Sequence, residues 1–167
     1  MSNEFPELAQ ASPRLSLWRA WLPAVVWLVL IAVESTDLLS ARHTGSVLHR
    51  FLSMLFGPID PDLFDILHAA LRKLGHVIGY AMLSALLFRA WRATIAISKP
   101  ALWNIRWAAP AFFMSVVVAC LDEWHQGFIP SRTGTIHDVF LDTAAALLAQ
   151  MLIFAWLRNR RLTLVSA

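Results

Sequence analysis

Four stretches of the chain, Ala20 to Val33, Leu74 to Phe88, Trp107 to Leu121 and Thr143 to Leu157, carry no aspartate, glutamate, lysine or arginine, and each is 14 or 15 residues long. A helix that crosses a bilayer needs about 20 residues, or ~17 at the shortest, so each stretch must take in polar neighbours at one end. The pattern predicts four transmembrane helices at roughly 18–39, 61–91, 103–126 and 136–157, an all-α polytopic membrane protein. Between the first two, Val47, Leu48, Phe51, Leu52, Leu55 and Phe56 recur at helical spacing opposite Arg42, His49 and Arg50, which predicts an interfacial or re-entrant helix in the first outer loop. Asp60, Pro61 and Asp62 supply an oxygen cap, a first-turn proline and an acid at the positive end of the next helix dipole.

Composition agrees with a bilayer as solvent. Of 167 residues, 58% are hydrophobic and 15% charged, and the mean hydropathy is +0.59. Most of the eight tryptophans lie near the ends of apolar runs, where amphipathic rings prefer the headgroup level. A single cysteine, Cys120, excludes an internal disulfide and a thiolate metal cluster. The first run follows Arg14 and Arg19 as a signal peptide would, but no small-x-small cleavage site follows, so it is kept as a span. The inner connection is too short for a second soluble domain, and 1–167 reads as one membrane domain.

Charge sets the expected orientation. Arg14, Arg19, Arg89, Arg92, Lys99, Arg106, Arg158, Arg160 and Arg161 fall on one side of a four-helix arrangement, against Arg42, Arg50, Arg72, Lys73 and Arg132 on the other. By the positive-inside rule both termini are cytoplasmic, in a multi-pass protein of the cytoplasmic membrane. The net charge of +3 and pI near 9.8 come from these topology determinants, so nucleic acid is not expected as a partner.

Against this apolar background, Asp122 to Asp142 holds four carboxylates, Arg132, His125, His137 and Gln126. Placing an ionisable side chain at the centre of a spanning helix costs roughly 2.5 to 3.5 kcal/mol on insertion scales, so such residues pair, line water or do chemistry. On helix 2, Asp65, His68, Arg72 and His76 share a face, as do Lys73, His76 and Tyr80, with Lys73 and His76 expected deeper than Arg72, whose simplest reading is a snorkelling base. Glu34 interrupts the first apolar run, with Asp37 one turn later, and is expected to share its face. Asp122, Glu123 and Gln126 are expected on one face at the end of helix 3. Thr135 to Asp138 has the form of a capping box, so Asp138 has a purely structural reading, whereas Asp142, one turn further in, needs a counter-charge, for which Arg132, Lys73 and His76 are candidates.

These residues resemble the VanZ-like family of small integral membrane proteins over most of the chain. The resemblance rests on E-x-x-Q-x-F-x-P-x-R followed by D-x-x-x-N/D, matched by Glu123, Gln126, Phe128, Pro130, Arg132, Asp138 and Asp142. A second element, K-x-x-H-x-x-x-Y, is matched by Lys73, His76 and Tyr80, and Glu34 resembles the acid of the first helix. Ser131 replaces a common glycine, Asp142 a common asparagine, and Ala144 and Ala145 stand where glycine is frequent. The resemblance implies a link to teicoplanin resistance without an agreed biochemical activity.

Three functions compete. An enzyme acting on a phosphate-bearing lipid or lipid-linked envelope precursor would hold phosphate with Arg132, Lys73, Arg72, Gln126 and Tyr80. It would use Glu123, His76 and Asp142 catalytically, with Glu34, Asp122 and Asp138 in support. A non-catalytic binder of the same lipid would use the same pocket, and a proton-coupled transporter or flippase would use the acid and histidine chain. Beside these stands a charge network that only locks four helices together. Carboxylates suit a divalent metal such as magnesium, calcium or manganese, and His76 or His125 would shift the preference toward zinc; no compact metal motif fixes the cofactor or its ligands. Oligomeric state is left open by the sequence.

Overall fold

A computed structural model describes residues 17–36, 41–97, 102–130 and 134–165. Five helices follow one another among the described residues: α1 Leu17–Glu34, α2 Ala41–Phe56, α3 Pro61–Thr94, α4 Ile105–Gln126 and α5 Ile136–Val165. Four of them, α1, α3, α4 and α5, are long and apolar enough to cross a membrane. They alternate in direction, and α3 is the hub, packed against α1, α4 and α5, while α4 and α5 also pack on each other.

Small residues let these helices approach closely. Ala24, Ala111, Ala119, Ala145 and Ala146 are buried, and Leu83, Leu87 and Phe88 of α3 fill the space between them. The outside is apolar: Val25, Val29, Phe113, Val117, Leu148 and Leu152 are exposed, an exterior suited to hydrocarbon rather than water. At the end of the bundle where α3 finishes, indole N–H groups tie the helices together, Trp21 donating to Thr94 Oγ1 at 2.9 Å and Trp107 to Ile95 O at 2.9 Å. The opposite end, where α1 and α4 finish and α3 and α5 begin, gathers the acidic residues and is called the polar end below.

α3 begins as the sequence predicts. Asp60 caps it by accepting from the Leu63 N–H at 3.0 Å, with proline in the first turn. Its 34 residues span about 51 Å, more than a ~30 Å hydrocarbon core, so part of it projects beyond the spans of its neighbours. α1 departs from expectation. It stops at Glu34 rather than 39, because the Thr36 hydroxyl and N–H both donate to Val33 O, at 2.7 and 3.1 Å, and wind the chain into a tight final turn. Asp37 lies outside the described residues, so its expected shared face with Glu34 is not described.

The amphipathic segment of the first loop is the helix α2. Its apolar side chains point away from the protein: Val47, Phe51, Leu55 and Phe56 are exposed, Met54 at 87%. Its polar side turns toward α3. Gly45 sits against the His68 ring, where an added Cβ would lie 3.1 Å from Cε1, so the absence of a side chain sets how closely the two helices meet.

Candidate functional site

Three helices, α3, α4 and α5, bring polar side chains of this end to one place. His76 and Tyr80, one turn apart on α3, face Asp122 and Glu123 at the end of α4 and Asp142 in the second turn of α5. Asp122 and Glu123 are 8% and 6% exposed and Asp142 is fully buried, so all three carboxylates are enclosed between helices. Each engages the protein through one oxygen. The Tyr80 hydroxyl donates to Asp122 Oδ2 at 3.0 Å, the Thr135 N–H donates to Glu123 Oε2 at 2.8 Å, and His76 Nδ1 lies 3.3 Å from Asp142 Oδ2. With the proton on His76 Nδ1 facing Asp142, Nε2 keeps its lone pair. One donor atom from each of His76, Asp122, Glu123 and Asp142 falls within 4.8 Å of the others. Buried Gln126 lines a small cavity beside them, together with Glu34, His76, Tyr80 and Asp122.

The connection from α4 to α5 is built around Glu123. Its backbone carbonyl takes the N–H of Gly127 at 3.1 Å, and its carboxylate takes the N–H of Thr135. Gly134 lies so close that a Cβ there would collide with Glu123 O. Thr135 completes the structure on the other side: its hydroxyl accepts from Asp138 N at 3.2 Å and donates to Asp138 Oδ2 at 2.8 Å. This is the expected capping box with one change. In the usual box the acid reaches back to the cap N–H, but here Glu123 occupies that N–H and Asp138 takes the hydroxyl instead. Thr135 is therefore the cap of α5, and Asp138 holds its hydroxyl rather than a backbone N–H. Gly134 was missed in the sequence, where its only signal is its place just before the T-x-x-D box.

Other predicted residues fall elsewhere. Lys73, expected deep beside His76, is exposed on α3, and Arg132 lies outside the described residues. His125, considered as a zinc-preferring donor, instead faces Ser35 at the end of α1, Oγ to Nδ1 3.1 Å, and joins α1 to α4. Arg72 is half-buried with His68 in two grooves at once. The first is a cleft of about 820 Å³ between α2 and α3, bordered also by His49, Arg50 and Asp65, with Phe64 sandwiched between His49 (ring centroids 4.8 Å apart) and His68 (5.6 Å). The second, of about 490 Å³, runs between α1, α2 and α3 to Glu34 and Gly75, and those two residues also border the small cavity beside His76. A basic cleft thus adjoins an acidic cluster through shared side chains.

A family model described as VanZ/LLP1 matches residues 18–158, which takes in all four long helices up to the last turns of α5 and every residue of the cluster. The chain belongs to this family. Neither the comparison with curated proteins nor that with solved structures gives a match. Within this VanZ-family chain, the motif running from Glu123 to Asp142 supplies Glu123 and Asp142 to the cluster, Gln126 to the cavity beside it and Asp138 to the start of α5.

Proposed function

We propose that this VanZ-family protein binds a phosphate-bearing lipid or lipid-linked cell-envelope precursor at an outward-facing polar end and chemically modifies it, with glycopeptide (teicoplanin) resistance as the related phenotype. One observation carries this reading: the cleft bearing Arg50, Arg72, His49 and His68 opens onto the groove that leads to Glu34 and the acidic cluster. Guanidinium groups take phosphate in a planar fork, and the exposed apolar side of α2 gives an acyl or polyprenyl chain a place beside the cleft. Arg132 of the motif and the exposed Lys73 are the further cations proposed for phosphate. Glu123, or His76 held by Asp142, is the base that activates the attacking group, while Gln126 and Tyr80 orient what enters.

The test is incubation of the protein, purified into nanodiscs, with defined phospholipids and polyprenyl phosphates, with and without divalent metal, beside Glu123→Gln and Arg132→Ala. Release of a headgroup or phosphate that falls in Glu123→Gln supports catalysis. Saturable binding with no turnover under any condition removes the catalytic half, and no saturable binding removes the whole reading. Orientation is checked by single cysteines at Ser131 and Ser98 in a Cys120→Ala background, needed because Cys120 is itself exposed. Labelling at 131 from outside and at 98 only from inside is expected; the reverse overturns the outward-facing site.

A further inference from the structure

Three carboxylates meet in the interior of the bundle, and among the described residues the one basic group in an ion pair with them is His76. With all three ionised, these carboxylates carry more negative charge than a protonated His76 balances, in surroundings that hydrate it poorly. Two buried atoms point to what compensates it. Asp142 Oδ1, in a side chain with no exposure at all, has no hydrogen-bond partner, and neither has Nε2 of Gln126, which is 4% exposed. An acceptor on Asp142 and a donor on Gln126, each beside His76 and Asp122, are not both satisfied by one proton. A hydrated cation satisfies both, taking the carboxylate oxygen directly and offering the oxygen of a bound water to the amide.

We infer that the polar end holds a divalent cation, with His76, Asp122, Glu123 and Asp142 as its protein ligands. The donor atoms lie within 4.8 Å of one another. Donors around a single ion with metal–ligand distances of about 2.1 Å are roughly 3 to 4 Å apart, so a small contraction closes the shell. The adjoining cavity, of about 10 Å³, has room for about one water. Three carboxylate oxygens with one imidazole nitrogen suit an ion between the hard and the borderline, such as Mn²⁺, better than one that prefers thiolates. Tyr80 and the Thr135 N–H hold two of the ligand carboxylates from behind, as outer-shell partners do in metal centres. This inference goes beyond the lipid reading and stands without it, because ion binding is measured with no lipid substrate present.

The experiment uses the full chain in nanodiscs, stripped with chelator and titrated with Mn²⁺, with free ion read by electron paramagnetic resonance. One Mn²⁺ per chain is expected, with a nitrogen coupling in the pulsed spectrum that disappears in His76→Gln. Affinity should weaken by at least about tenfold in Asp142→Asn and in Glu123→Gln. It should not change in Asp62→Asn, an exposed acid in the first turn of α3. Helicity by circular dichroism qualifies each variant. Should either cluster variant fail to fold, a rise in the wild-type unfolding midpoint with Mn²⁺, absent in His76→Gln, supports the same conclusion. Absence of saturable binding to the folded wild type overturns the inference, as does equal binding by folded Asp142→Asn and Glu123→Gln.

Discussion

Two polar layers cross the interior of this bundle, and they differ in what they leave over. In the layer nearer its middle, the Ser84 hydroxyl donates to Ala146 O at 3.0 Å, and the Gln150 amide donates to Ser84 O and Oγ at 3.0 and 2.8 Å. Every group there is neutral and two of the three bonds end on backbone, with one neutral oxygen, Gln150 Oε1, left unpartnered. About two turns of α3 away toward the polar end, the cluster of His76, Asp122, Glu123 and Asp142 gathers three carboxylates and leaves over a carboxylate oxygen. Neutral side chains that bond the facing helix act as glue between spans, whereas a buried surplus of charge is costly unless something else is bound. The contrast separates a layer that helps the helices to stay together from the layer to which the proposed function is assigned.

The contrast breaks most visibly at Glu123. Glu123→Gln keeps the shape and the hydrogen bond to Thr135 but removes the charge, and turnover of the lipid substrate should fall by roughly 100-fold, as for loss of a general base, in a protein whose helicity is unchanged. Phosphate release in a timed assay measures it, and turnover at the wild-type rate would put the acidic layer in the same class as the neutral one.

Gly134→Ala tests whether the turn is part of the active layer. The added methyl group collides with the Glu123 carbonyl, so unfolding should cost about 1 to 3 kcal/mol less and Mn²⁺ binding should weaken with it. Thermal unfolding with and without the ion separates the two effects. A variant as stable as wild type, with full Mn²⁺ affinity, would detach the turn from the cluster.

Gln150→Leu addresses the other layer. It should destabilise by ~0.6 kcal/mol and at most ~1.7, the range for hydrogen bonds between spanning helices, and leave Mn²⁺ affinity alone. Loss of ion binding here would mean that the layers are coupled rather than distinct. The smallest change, Tyr80→Phe, removes only the hydroxyl that donates to Asp122, and Mn²⁺ affinity should drop by a few fold, about 0.5 to 1.5 kcal/mol, in the same titration.

What the sequence disclosed followed the strength of each physical signal. Uncharged runs bounded by charge made the four spans legible, and i, i+4 spacing brought His76 with Tyr80 onto one face. The end of α1 at Glu34 was not legible, because the hydrogen bonds of Thr36 to Val33 that close it are local effects with no periodicity. Lys73 and His76 are three residues apart, near enough for one broad face, yet the step leaves the lysine on its exposed flank. The layer of Ser84 and Gln150 escaped notice because serine and glutamine carry no charge to interrupt an apolar run. Gly134 was hidden for a related reason, since a collision is visible only once the two ends of a turn have met.

α2 presents its apolar side outward and its charged side to the cleft, and within the described chain it leans chiefly on α3. Half of the surroundings of that helix must therefore be supplied by lipid, and the shape of the cleft belongs partly to the bilayer. In a detergent belt of different thickness α2 meets a different outer neighbour while the bundle beneath it keeps the same one, so the entrance and the cluster should respond separately to the host. For the proposed function, lipid composition would then act on the wall of the cleft without touching the residues at its end.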